Sequence, residues 1–237
     1  MSVMVVFGTR PEAIKLAPVI KELQKHPDQI ELCTCVTAQH REMLDQVLAA
    51  FKIEPDVDLD LMRHDQNLSK LTARIFNELD PVIKKTKPDW LLIQGDTTTV
   101  MAAAILGFYN QVRVGHVEAG LRTHDKWQPF PEEVNRRIAG VVADLHFAPT
   151  DKNRQNLLRE GIPEEIINVT GNPAIDALRI ITQQTPPPEA INLLDRADVT
   201  SGERRLVLVT AHRRENFGQP IRDICAALKK LAQNYQD

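Results

Sequence analysis

The chain has 237 residues, enough for one large or two small domains around a sizeable apolar core. Its 43% hydrophobic and 26% charged residues are those of an ordinary soluble globular protein, and a net charge of −3 excludes a general nucleic-acid binder. The opening MSVMVVFGTRPEAIK lacks a signal-peptide h-region and a basic start, and the longest uncharged apolar stretch, VMAAAILGFY at 100–109, is well short of the roughly 17 to 25 residues that span a bilayer. The expected location is the cytoplasm, with no membrane partner.

In chain order, β-like apolar runs alternate with segments of helical period. SVMVVF precedes PEAIKLAPVIKELQKH, IELCTCVT precedes REMLDQVLAAF, and WLLIQG precedes VMAAAILGFYN. VRVGHVE leads through a polar loop to EEVNRRIAGVVADL, and LHFAP precedes DKNRQNLLREG. This rhythm predicts an α/β fold, a doubly wound, mostly parallel, Rossmann-like sheet with helices on both faces. Ligands of such sheets lie beyond the carboxyl ends of the strands. The proline-rich stretch that begins near residue 184 breaks the rhythm. It divides the chain into a Rossmann-like domain at 1–183, a linker at 184–203, and at 204–237 one strand (LVLVTAH) and one helix, the start of a second domain. Cys33, Cys35 and Cys225 are odd in number, and no second Cys or His pair stands at metal spacing, so reduced thiols are expected.

The loops after the strands carry the chemistry. In GTRPEAIK, Gly8 permits a tight turn, Thr9 is a plausible N-cap and Pro11 suits the first helical turn. The free N–H groups there, with Arg10 and Lys15, suit an anion, although neither a GxGxxG nor a Walker loop is present. TAQHREML is a second strand-to-helix turn, in which Gln39, His40 and Arg41 either contact a ligand or cap the helix. In GDTTTV, Asp96 either caps the next helix or acts in chemistry. Glu118 comes directly off the next strand, followed by Ala119 and Gly120, which permit close approach of ligand or backbone. Glu132 and Glu133 open a helix after PFP, where one of them could simply complement the dipole. Carboxylates crowded at neighbouring strand ends raise one another's pKa, which suits general acid and base work. His116 and His124 fit structural or surface roles, and Asn172 of GNPAIDAL fits an N-cap.

Seven ordered motifs, FGTRPEAIK, VTAQHREMLDQVL, GDTTT, GHVEAGLRT, PEEVNR, TGNPAIDAL and VTAHRREN, closely resemble the non-hydrolysing UDP-N-acetylglucosamine 2-epimerase family over essentially the whole chain. The resemblance implies the two-domain GT-B fold, UDP-N-acetylglucosamine and UDP as partners, neither NAD nor metal, a homodimer, and a role in bacterial surface polysaccharide synthesis. Carried over by motif, Asp96, Glu118, Glu132 and His212 are the catalytic residues. Arg10, Lys15, Gln39 and Arg213 are the substrate-binding ones. The family expels UDP from C1 as C2 loses its proton, holds 2-acetamidoglucal, and adds UDP back with a proton delivered to the opposite face. Family members continue past the last helix read here, so the chain is expected to be C-terminally truncated, and weak or inactive alone. The alternatives are a hydrolysing 2-epimerase, which releases free sugar, and a nucleotide-sugar binding module without catalysis.

Overall fold

A computed structural model describes residues 1–37, 41–61, 67–211 and 218–235. The chain falls into two compact units, Met1–Gln183 and Gln184–Asp237.

The first unit holds seven strands: β1 (Ser2–Phe7), β2 (Glu31–Val36), β3 (Val57–Asp58), β4 (Trp90–Gln94), β5 (Arg113–Val117), β6 (Leu145–Ala148) and β7 (Ile167–Val169). Between them run α1 (Arg10–Leu23), α2 (Arg41–Phe51), α3 (Leu68–Thr86), α4 (Thr98–Tyr109), α5 (Glu132–Val142) and α6 (Asp151–Arg159), and α7 (Pro173–Thr182) follows β7. The strands pair in the order β3-β2-β1-β4-β5-β6-β7, every pair parallel. The doubly wound parallel sheet expected from the sequence is therefore present. Winding reverses between β1 and β4, the topological switch point where such sheets place their sites.

Strand periodicity sorts the core into two layers. Met4, Val6, Cys35, Leu91, Ile93 and Val114 face one side and pack against α3, α4 and α5, where Ile75, Leu79, Ile83 and Ala103 are fully buried. Val3, Val5, Phe7, Val36 and Val117 face the other and pack against α1, α2 and α7, where Leu16, Ile20, Leu44 and Ala177 close the layer. Leu92 and Phe147 support that second layer from β4 and β6. All three cysteines are free, and burial pushes the Cys35 thiol up to about 12, so it acts as a small apolar group.

The second unit holds α8 (Pro188–Arg196) and α9 (Gln219–Asn234). The strand expected at LVLVTAH is not formed over 206–211, and Leu206, Val207, Leu208 and Val209 are exposed. A strand exists only through ladder bonds to a neighbour, and among the described residues of this unit no extended segment pairs with it. The apolar run is thus a strand sequence without a strand partner. No helix among the described residues is long and apolar enough to cross a membrane.

Candidate active site at the switch point

Four chain segments meet beyond the carboxyl ends of β1, β4 and β5. The first is the turn into α1. Glu12 accepts from the N–H groups of Gly8 (3.0 Å) and Thr9 (2.7 Å), the reciprocal half of a capping box. Its other oxygen accepts from the Thr97 hydroxyl at 2.7 Å, which ties this turn to the loop after β4. Burial pushes the Glu12 carboxyl up, against those hydrogen bonds, which favour its ionised form.

The second segment is Gly95-Asp96-Thr97. The cap of α4 is Thr97, whose hydroxyl accepts from Val100 N–H at 3.3 Å, so Asp96 is relieved of the capping role that the sequence left open. One oxygen of its carboxylate, Oδ2, instead accepts from both Nε (2.9 Å) and Nη2 (2.6 Å) of Arg136. Asn135 Nδ2 holds the Asp96 carbonyl at 2.9 Å. His116 Nε2 lies 2.8 Å from the Gly95 carbonyl and must donate there, leaving Nδ1 without a partner among the described residues. Burial brings the His116 pKa down to about 4, so the ring is neutral and acts as a strut under the loop.

The third segment is the turn after β5. Glu118 has φ +63°, a left-handed conformation that costs a non-glycine residue about 1 kcal/mol or more. That conformation turns its carboxylate back over the strand ends. Oε2 accepts from Lys15 Nζ and from Gln94 Nε2, both at 2.5 Å, and Oε1 has Asn172 Nδ2 at 3.4 Å. Asn172 is also the N-cap of α7, as expected, accepting from Ala174 N–H at 3.0 Å. Gly120 has φ +84°, and a Cβ there would overlap the backbone oxygen of Asn153, while Asn156 Nδ2 holds the Gly120 carbonyl at 2.9 Å. The close approach that Gly120 permits is therefore made by the backbone of α6. Gly120→Ala should destabilise the fold by about 2 to 3 kcal/mol, read as a lowered midpoint in urea at unchanged slope; an unchanged midpoint would contradict this packing.

The fourth segment opens α5, and it separates the glutamate pair. Glu133 is fully buried and satisfied: it accepts from the N–H groups of Thr123 (3.0 Å) and His124 (3.3 Å), and from Arg136 (3.1 Å) and Arg137 (3.3 Å). Burial alone would push its carboxyl up, but these donors bring it below the ordinary glutamate value. Glu132, its neighbour, has a buried Oε2 with no hydrogen-bond partner among the described residues. A buried bare carboxylate oxygen is costly, so the two glutamates of the pair stand in opposite states, Glu133 satisfied and Glu132 with one oxygen unpaired.

Of the residues that the sequence singles out, Asp96, Glu118 and Lys15 stand in this one arrangement, with Glu132 one residue from the Glu133–Arg136 contact. Asp96 and Glu118 each have a cationic partner, Arg136 and Lys15, in place of the simple crowding of carboxylates expected from the sequence. Lys15 is thereby placed on a carboxylate, which takes one of the three N–H donors of its ammonium. Arg10 is exposed and joins Lys15 in lining a cavity of about 800 Å³ whose walls, from α1, α2 and α7, include Ile14, Val47, Phe51 and Leu178. Gln39, His212 and Arg213 lie outside the described residues. Five members of the arrangement carry no expectation from the sequence: Glu12, Gln94, Thr97, Asn135 and Arg136. Of these, only Glu12 has a local signal, the Thr-x-x-Glu spacing of a capping box.

The sheet order, with carboxylates and cations gathered at the point where winding reverses, defines a Rossmann-like α/β domain with a polar site at its switch point. The chain belongs to the UDP-N-acetylglucosamine 2-epimerase family, whose profile matches residues 21–237. It is 52% identical over 240 aligned residues to the UDP-N-acetylglucosamine 2-epimerase of Yersinia pestis, covering 100% of this chain and 63% of that protein. The crystal structure of UDP-GlcNAc 2-epimerase from Neisseria meningitidis bound to UDP-GlcNAc superposes with a TM-score of 0.90 at 47% identity, covering 100% of this chain and 64% of that one. The Methanocaldococcus jannaschii UDP-GlcNAc 2-epimerase in complex with UDP-GlcNAc and UDP gives 0.82 at 33% identity, again with 100% and 64% covered. The chain thus spans a little under two thirds of the length of these relatives.

Proposed function

We propose that this chain supplies the carboxylate-bearing domain of a non-hydrolysing UDP-N-acetylglucosamine 2-epimerase that interconverts UDP-GlcNAc and UDP-ManNAc. The observation that carries the reading is the carboxylate of Glu118, turned back over the switch point by a left-handed backbone and held there by Lys15 and Gln94.

C2 of the sugar is not flanked by a carbonyl, so loss of its proton must be coupled to expulsion of a leaving group. As the C2–H bond breaks, its proton passes to a carboxylate, its electron pair forms the C1=C2 bond, and the C1–O pair leaves with UDP. Return of UDP to C1 and of a proton to the opposite face of C2 gives the epimer. Two faces require two proton-exchanging groups, and Asp96, Glu118 and Glu132 are the set that shares this work. Arg10 serves the departing diphosphate, and Lys15 does so from its place on Glu118. The reading assigns the same end of the substrate to His212 and Arg213, and a substrate contact to Gln39. A cytoplasmic homodimer feeding polysaccharide synthesis belongs to the same reading; the exposed Phe108, Tyr109 and Val141 on α4 and α5 support self-association, for which sedimentation is the test.

Incubation of the protein, expressed from its natural gene, with UDP-GlcNAc in heavy water tests the reaction. Deuterium at C2 of both nucleotide sugars is the expected result. Free N-acetylmannosamine with UDP would assign the hydrolysing reaction instead, and saturable binding without C2 exchange would assign a binding module.

A further inference from the structure

We propose that Gln94 is a positioning residue that, with Lys15, occupies Oε2 of Glu118 and so reserves Oε1 as the oxygen that exchanges the C2 proton. This rests on the reading of Glu118 as a proton-transfer group.

Gln94 is the last residue of β4 and lies opposite Val117 of β5. Strand alternation puts it on the face of Leu92, the side that α1 covers, so its side chain ends beneath Lys15 and beside the turn that carries Glu118. It is 2% exposed. A buried amide beside a carboxylate can present only its NH2 group, because its carbonyl would face oxygen with oxygen. Two N–H donors at 2.5 Å fill the lone pairs of Oε2, and a proton arriving there would displace one of them. Among the described residues Oε1 has only the long 3.4 Å contact from Asn172, so its lone pairs remain available. In the elimination, the C2 proton therefore goes to Oε1, the C–H pair forms C1=C2, and the C1–O pair leaves with UDP. Lys15 alone could not do this, since a partly exposed ammonium on a flexible four-carbon stem fixes charge but not the carboxylate plane. Gln94, buried and rigid, fixes the plane.

The test compares Gln94→Leu, Gln94→Glu and Glu118→Gln in the protein expressed from its natural gene, with kcat, KM for UDP-GlcNAc, C2 deuterium exchange and the thermal midpoint as readouts. Gln94→Leu should lower kcat about 10- to 100-fold and leave KM within about threefold, because the lost donor acts on proton transfer and not on binding. Gln94→Glu keeps the shape but donates only when protonated, so its rate relative to the parent should recover about tenfold as the pH falls from about 8 toward about 5.5. A kcat for Gln94→Leu within twofold of the parent overturns the proposal. So does a Gln94→Glu deficit that is the same at every pH, which a merely structural role would give. If Gln94→Leu does not fold, the pH dependence of Gln94→Glu decides alone. Full exchange by Glu118→Gln would refute the underlying reading of the site, whereas its loss beside an active Gln94→Leu would refute only the role of Gln94.

Discussion

Glu118→Gln should abolish C2 proton exchange and epimerisation to roughly a thousandth of the parental rate, with the fold intact. The substitution is nearly isosteric, but it inverts the chemistry of one half of the side chain. Lys15 Nζ and Gln94 Nε2 both donate into the position of Oε2, so the new amide must turn its carbonyl toward them. Its NH2 group then occupies the place of Oε1, where the substrate proton would have to be received. An amide nitrogen cannot accept it, and no rotation of the side chain repairs this without facing donor against donor. The cost to stability is small by comparison, since both donors keep an acceptor and only the charge assistance is lost, about 1 kcal/mol with Lys15 partly exposed. Exchange within tenfold of the parental rate would remove Glu118 from the chemistry. Asp96→Asn would likewise keep an acceptor for Arg136, since both of its donors fall on Oδ2, and would lose the charge of the pair, so the rate should fall with little change in stability.

These outcomes depend on contacts that were legible in the sequence to different degrees. The alternation of apolar runs and helical segments was sufficient for a parallel doubly wound sheet, because burial on both faces leaves no other use for runs such as WLLIQ. The strand ends followed, and with them Asp96 and Glu118. The two- and three-residue strands β3 and β7 are too short to carry a period, and they exist by pairing with β2 and β6. Helix α3 has a clear period in Leu71, Ile75, Leu79 and Ile83, yet no motif flanks it and it reaches no part of the site. The second unit shows the opposite failure: LVLV reads as a strand at 206–209 because composition records what a segment suits and not whether a neighbour is there to pair with it.

Within the site, residue types were legible and pairings were not. Nothing local indicates that Arg136 reaches Asp96 forty residues earlier in the chain, or that Glu133 is the structural glutamate and Glu132 the bare one. Both follow from the direction in which α5 enters, where side chains three and four apart share a face and bring Arg136 and Arg137 under Glu133. Asp96 was the cap that the sequence offered, and the backbone gives that place to Thr97.

The buried histidines behind the site lead to the second large effect, a loss of stability in mild acid. His116 of β5 and His146 of β6 are paired across the sheet, with ring centroids 6.5 Å apart. Burial brings both down from 6.5 to about 4, with further depression of each by the positive charge of Arg122. In the unfolded chain each would bind a proton near its ordinary value, so between pH 6.5 and about 4 the unfolded state holds more protons than the folded one. Stability is therefore complete above about pH 6.5 and lost as pH falls through that window, by about 2 kcal/mol per histidine between pH 7.5 and about pH 5. Glu12 acts in the opposite sense, because its raised pKa favours the folded state as it takes up its proton, and offsets part of the loss. The two histidines together account for a fall of about 4 kcal/mol before that offset, a large share of the 5 to 15 kcal/mol typical of a domain. His146→Leu isolates the cause. Among the described residues His146 makes no ring hydrogen bond of full geometry, only a weak one with the Ala143 backbone, so an apolar side chain of similar size should leave stability at pH 7.5 about equal or higher and should remove about half of the histidine part of the acid loss. Urea unfolding at the two pH values measures both quantities, and a variant with the parental acid slope would show that the loss arises elsewhere.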